Sequence, residues 1–142
     1  MTYNILVAEP SNDLWTLISS GLRKHRPDAE ILRVKDGEQA VRALFLQGLL
    51  TEAPETPDLI VLSADLPLLP VNTVIDRLRQ HPRTLGVPVI LVWPDGGSDD
   101  LDDEDDDAQQ WLDRLSDVVV ITGTHKLDKE VANAVIQLQT NP

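Results

Sequence analysis

The sequence predicts an α/β domain built on a parallel sheet, and three observations carry that prediction. Short apolar runs rich in branched residues alternate five times with stretches of helical period. Three of those runs, Leu59-Ile60-Val61-Leu62, Val89-Ile90-Leu91-Val92 and Val118-Val119-Val120-Ile121, are apolar at every position, as strands covered on both faces are. Strands that alternate with helices imply right-handed crossovers, which lay helices on both faces of one sheet.

Each element has its own signal. Ile5-Leu6-Val7-Ala8 is the first strand. Leu14, Leu17, Ile18, Gly21 and Leu22 then fall on one face of a helix, with Ser11 or Asn12 as its cap and Pro27 beyond its end. Ala29 to Val34 follows as a strand interrupted by Arg33, which suits an edge position. Asp36-Gly37-Glu38 turns into a helix carrying Val41, Leu44, Phe45 and Gly48 on one side. The stretch TEAPETP reads as a loop before Leu59-Ile60-Val61-Leu62. Pro70 precedes a helix marked by Val71, Val74, Ile75 and Leu78, and the last helix carries Val131, Ala134, Val135 and Leu138.

The apolar runs mark the third, fourth and fifth strands as interior and the second as an edge. The whole reads as a flavodoxin-like (βα)5 three-layer sandwich with strand order 2-1-3-4-5. In such sheets the site lies at the carboxyl ends of the strands, near the switch point between the first and third. The residues expected there are Glu9 and Pro10, Ser63 and Ala64, Trp93 and Pro94, and Thr122 and Gly123.

The chain has 142 residues, which fits a single domain over 1–142 with room for a real core. It has no cysteine, so neither a disulfide framework nor thiolate chemistry is available. Its start, MTYNILVAEP, has no basic segment leading into an apolar run, and no apolar stretch nears the roughly 20 residues that cross a bilayer. A cytoplasmic protein without a membrane partner is expected. The net charge is −12, and the excess is local. Asp99 to Asp107 reads DDLDDEDDD, and without its eight acids the charge falls to −4. No basic stripe offers clustered phosphate contacts, so nucleic acid is not an expected partner. The acidic loop, at about 95–107, lacks the Gly and terminal Glu of a calcium-binding helix-loop-helix. It reads as a solvated loop, with docking on a basic partner as the alternative.

The segments ILVAEPSNDL, PDLIVLSADLP and HPRTLGVPVILV resemble the receiver domain of two-component response regulators over nearly the whole chain, from Asn4 to about Leu138. The long connection into the third strand and the phrase HPRTLGVPV are most similar to small stand-alone receivers associated with bacterial phytochromes. The resemblance implies a site of known parts, and this chain departs from most of them. Where the family places two acids after the first strand to hold Mg²⁺, Glu9 and Pro10 stand. The phosphoacceptor aspartate aligns with Ser63, the hydroxyl residue after the fourth strand with Trp93, the lysine after the fifth with Gly123, and the aromatic switch residue with Val120.

Phosphoryl transfer from a phosphohistidine calls for an anionic nucleophile and a metal to offset repulsion between anions. A serine hydroxyl is weak without a base, and Glu9 beside a proline and a serine is a poor Mg²⁺ site. The expectation is therefore a pseudo-receiver: no enzyme, no catalytic residue, no metal and no cofactor. It would signal by phosphorylation-independent protein–protein contact. Asp65 reads as a turn-stabilising loop acid, Ser63 as a structural hydroxyl, and Trp93 as a ring filling the vacated pocket. Trp15 lies off the main stripe of its helix. Two alternatives stand beside this reading. One is a working phosphoacceptor in a phosphorelay using Asp65 or Ser63. The other is a small-molecule sensor with a pocket around Glu9, Ser63 and Trp93.

The resemblance also implies a binding face made of the fourth helix, fifth strand and fifth helix. Here that covers Asp107 to Leu115, Asp117 to Thr122 and Leu127 to Leu138, with Trp111, Leu115, Val120, Lys126 and Lys129 on it. Trp111 also has the helical spacing of a core residue. The expected partner is a separate protein, a histidine kinase or another signalling protein, and the same face is one through which a homodimer would form.

Overall fold

The computed structural model describes residues 3–46, 57–64, 66–81, 84, 86–93, 118–122 and 126–140. Strand β1 (Asn4–Ala8) leads to helix α1 (Asn12–His25), then β2 (Glu30–Val34) and helix α2 (Gly37–Val41), which runs on as a π-helical turn over Arg42–Leu46. Strand β3 (Leu59–Ser63), helix α3 (Val71–Gln80), β4 (Val89–Trp93), β5 (Val118–Thr122) and a C-terminal helix (Leu127–Thr140) complete it. The strands form one parallel sheet in the order β2-β1-β3-β4-β5. This is the predicted flavodoxin-like arrangement. The expected fourth helix, with Trp111 and Leu115, and the acidic loop lie outside the described residues.

The period-two alternation of β3 explains its unbroken apolar run. Leu59 and Val61 face α1 and the C-terminal helix, in a core with Ile5, Val7, Ile18, Leu22, Val131 and Val135. Ile60 and Leu62 face α2 and α3, in a second core with Leu6, Val34, Ala40, Leu44, Val74 and Leu78. Every residue of β3 is buried, because neither face of a central strand meets water.

Strand β5 corrects the sequence reading. Its run Val118-Val119-Val120-Ile121 was expected to be interior, yet among the described strands it pairs with β4 alone and closes the sheet. Ile121 is buried, Val118 and Val119 are half-buried, and Val120 is 36 % exposed. The apolar pattern registers helices covering the strand; it carries no information about whether a second strand lies alongside.

Local chemistry fixes the element ends. The Ser11 hydroxyl accepts the Leu14 N–H and caps α1. The Asp36 carboxylate accepts the Gln39 N–H at 2.6 Å, while the Gln39 side chain accepts the Lys35 N–H at 2.9 Å, a reciprocal cap on α2. The π-helical turn keeps Val41 and Leu44 in the same core, as expected; the Phe45 side chain and Gly48 lie outside the described residues. Helix α1 lies so close to the C-terminal helix that a Cβ on Gly21 would run into the Asp128 carbonyl. A Lys24–Asp128 ion pair of 3.0 Å brackets that contact.

Candidate functional site

The strand register assembles the site. Ala8 pairs with Leu62, so the next residues out, Glu9 and Ser63, stand side by side beyond the switch point. Both have the odd-numbered phase that faces α1. Both are buried, each only 1 % exposed. The Glu9 N–H donates to the Val34 carbonyl at 3.0 Å, which carries the β1–β2 ladder one step past the strand. Its carboxylate Oε2 accepts the Ser11 N–H at 3.0 Å, so the acid is turned back toward the start of α1. A negative charge is well placed there, because the first amides of a helix point their positive ends outward. Pro10, half-buried in between, contributes no carboxylate. The structure therefore brings Glu9, Pro10 and Ser63 together.

Trp93 ends β4 opposite Thr122 of β5, at the same edge of the sheet, but its side chain is outside the described residues, as are Asp65 and Gly123. Val120 stands on β5, exposed. Lys126 and Lys129 are exposed at the start of the C-terminal helix. Lys126 takes a left-handed backbone, φ 56°, and its carbonyl accepts the N–H groups of Lys129 and Glu130, both at 3.0 Å. The carboxyl of Asp128 is held below its ordinary range, chiefly by the hydrogen bond from Lys24.

Sequence reasoning missed Arg33. It noted the residue as an interruption of an edge strand. In the sheet Arg33 pairs with Val7, on the α1 face, and its guanidinium leans along the strands to the site. Nε and Nη2 donate to the Glu9 carbonyl at 3.2 and 3.1 Å, and the group lies 5.3 Å from the Trp15 ring centroid. The signal was available: Ile31 and Arg33 share a phase, and that phase faces a helix whose off-stripe residue is a tryptophan.

The loop after β3 meets the start of α2. Leu68 has φ 69° and is 75 % exposed. The Pro67 carbonyl accepts the Leu69 N–H at 2.8 Å, closing a γ-turn on Leu68, and also accepts the Gly37 N–H at 3.1 Å. Gly37 is obligatory at this junction, since a Cβ there would strike the Leu69 backbone.

Comparison with known proteins agrees with the fold. No family model matches the chain. It is 29 % identical over 97 residues to response regulator Rcp1 of Synechocystis sp., a stretch covering 68 % of this chain and 65 % of that protein. Among solved structures, the phosphorylated cyanobacterial phytochrome response regulator RcpA superposes with a TM-score of 0.76 at 20 % identity, covering 100 % of this chain and 97 % of that one. The Mn(2+)-bound form of Rcp1 superposes at 0.72 and 23 %, covering 99 % and 97 %. The bacteriophytochrome response regulator RtBRR superposes at 0.74 and 22 %, covering 97 % and 78 %. By sequence the chain is similar to a response regulator, and its fold is that of the receiver domains of response regulators.

Proposed function

We propose that this chain is a degenerate receiver that signals by contact with another protein and not by phosphoryl transfer. The observation that carries the reading is Ser63. A neutral hydroxyl stands at the acceptor position, buried, beside one carboxylate whose Oε2 accepts a backbone N–H, with Pro10 where a second acid is needed. A serine in that setting lacks the negative charge that an acceptor offers a phosphoryl donor. The likeness to response regulators supports a role in signalling; in this reading the module is cytoplasmic and has no enzymatic activity of its own. Its partner would be a histidine kinase or another signalling protein. The surface that would meet it, or a second copy of the chain, includes exposed Val120, Lys126 and Lys129.

Intact mass after incubation with acetyl phosphate and Mg²⁺ tests this reading, with Ser63→Ala and Asp65→Asn run beside the parent. The expected result is no phosphoryl adduct in any of the three. An adduct that disappears in one variant would identify its acceptor and return the protein to a phosphorelay.

A further inference from the structure

The fold family implies a divalent cation at the strand ends, and the residues present do not fit one. Pro10 offers no side-chain ligand, and Ser63 offers a neutral hydroxyl where an acid would bind. The Glu9 carboxylate is drawn toward the N-terminus of α1 by its bond to the Ser11 N–H. Among the described residues no group of three acidic, histidine or cysteine side chains comes together as a metal site. A hard cation such as Mg²⁺ asks for an octahedron of oxygens, usually including one or two carboxylates, and this arrangement falls short.

A cation is nonetheless built into the same place. The Arg33 guanidinium is held by three features at once. Its Nε and Nη2 fork onto the Glu9 carbonyl, its Cζ lies over the Trp15 ring, and the β1–β2 register fixes its Cα opposite Val7. The carbonyl it grips belongs to the residue whose carboxylate is buried. Guanidinium is planar, permanently charged and less strongly hydrated than an ammonium, so it suits a forked, half-buried position beside a ring.

We propose that Arg33 is the resident cation of this site. It supplies fixed positive charge beside buried Glu9, pins the β1–α1 connection in one shape, and makes the strand ends independent of divalent metal. The charge is carried on the chain itself and held by hydrogen bonds to the Glu9 carbonyl, so the surface around Pro10 and Ser11 is constant whatever the metal concentration.

The test is a Mn²⁺ titration of the ¹⁵N-labelled full chain, read as paramagnetic broadening of backbone amide signals, with Arg33→Gln and Arg33→Lys alongside. In the parent, the Ser11 and Ala64 amides keep their intensity, even if signals from the acidic stretch broaden. Without metal, Arg33→Gln shifts the Ser11 amide and the Trp15 indole resonances, and Arg33→Lys does not restore them, because an ammonium cannot fork. Saturable loss of the parent's Ser11 and Ala64 signals would overturn the proposal, and so would Arg33→Gln spectra superimposable on the parent's. The parent titration needs no variant to fold. The inference is separable from the proposed function: a phosphoryl adduct with silent strand-end amides defeats only the latter, and Mn²⁺ at the strand ends without an adduct defeats only the former.

Discussion

Strands β3 and β5 carry nearly interchangeable sequences, LIVLS and VVVIT, and have opposite fates. Strand β3 is buried from end to end and delivers Ser63 into a closed site. Strand β5 lies at the sheet edge and leaves Val120 exposed. The difference comes from position in the sheet. A strand with a neighbour on each side and a helix layer on each face has nowhere to meet water. A strand at the edge keeps one open flank. The buried end holds Glu9 and Ser63, and the edge presents Val120 to solvent.

The largest expected effect breaks the closed region directly. Ile60→Ala, at a fully buried position, should cost about 3–4 kcal/mol in urea unfolding, because it leaves a cavity in a close-packed core. The corresponding change on the edge strand, Val120→Ala on a residue 36 % exposed, should cost less than about 1 kcal/mol. Equal costs would mean the edge is covered in solution, as by a second copy.

Ser63→Asp sharpens the contrast chemically. It sets a second carboxylate next to buried Glu9 and should destabilise the domain by about 2 kcal/mol near neutral pH. The loss should shrink as the pH falls and the new acid takes up a proton. Intact mass should show no phosphoryl adduct on this variant, since no lysine stands at Gly123 and no second metal acid at Pro10.

Gly21→Ala probes the seam between α1 and the C-terminal helix. The new methyl meets the Asp128 carbonyl, and parting two helices should cost about 1–2 kcal/mol by thermal unfolding, despite the better helix propensity of alanine. The smallest effect is electrostatic. Asp128 is held below its ordinary range of about 3.8 by Lys24. The stabilisation from that pair is therefore present above this value and is lost as the pH falls through the lowered one. Lys24→Met should leave the melting temperature nearly unchanged at neutral pH, given the exposure of the pair. Its small difference from the parent should vanish in strong acid.

The strand order, both cores, and the pairing of Glu9 with Ser63 were legible in the sequence, because period-two and helical patterns record which faces are covered. Ser11 as a cap was legible for the same kind of reason: a short hydroxyl side chain before an apolar helical face has one job. The edge position of β5 was not legible, since Val118 to Ile121 report helix cover and are silent about lateral neighbours. Arg33 was misread because charge in an edge strand has a general explanation in solubility. Its forked bond to Glu9 depends on a register between strands far apart in sequence. The π-helical turn after Val41 left no trace in the spacing, as Val41 and Leu44 face the core in either winding.

The shared acceptor at Pro67 has a consequence for how the molecule breathes. Gly37 and Leu69 are distant along the chain, yet their amide hydrogens rest on one carbonyl oxygen. Any opening that withdraws that oxygen unlatches the start of α2 and the loop after β3 in a single event. The two amides should then exchange with solvent deuterium as a coupled pair, at one rate set by one opening. The left-handed Leu68 between its flanking partners is a wound spring on that latch: backbone strain at a bulky residue is relieved when the turn lets go. Two segments that look independent in the topology would thus behave as one kinetic unit, fastened by one atom.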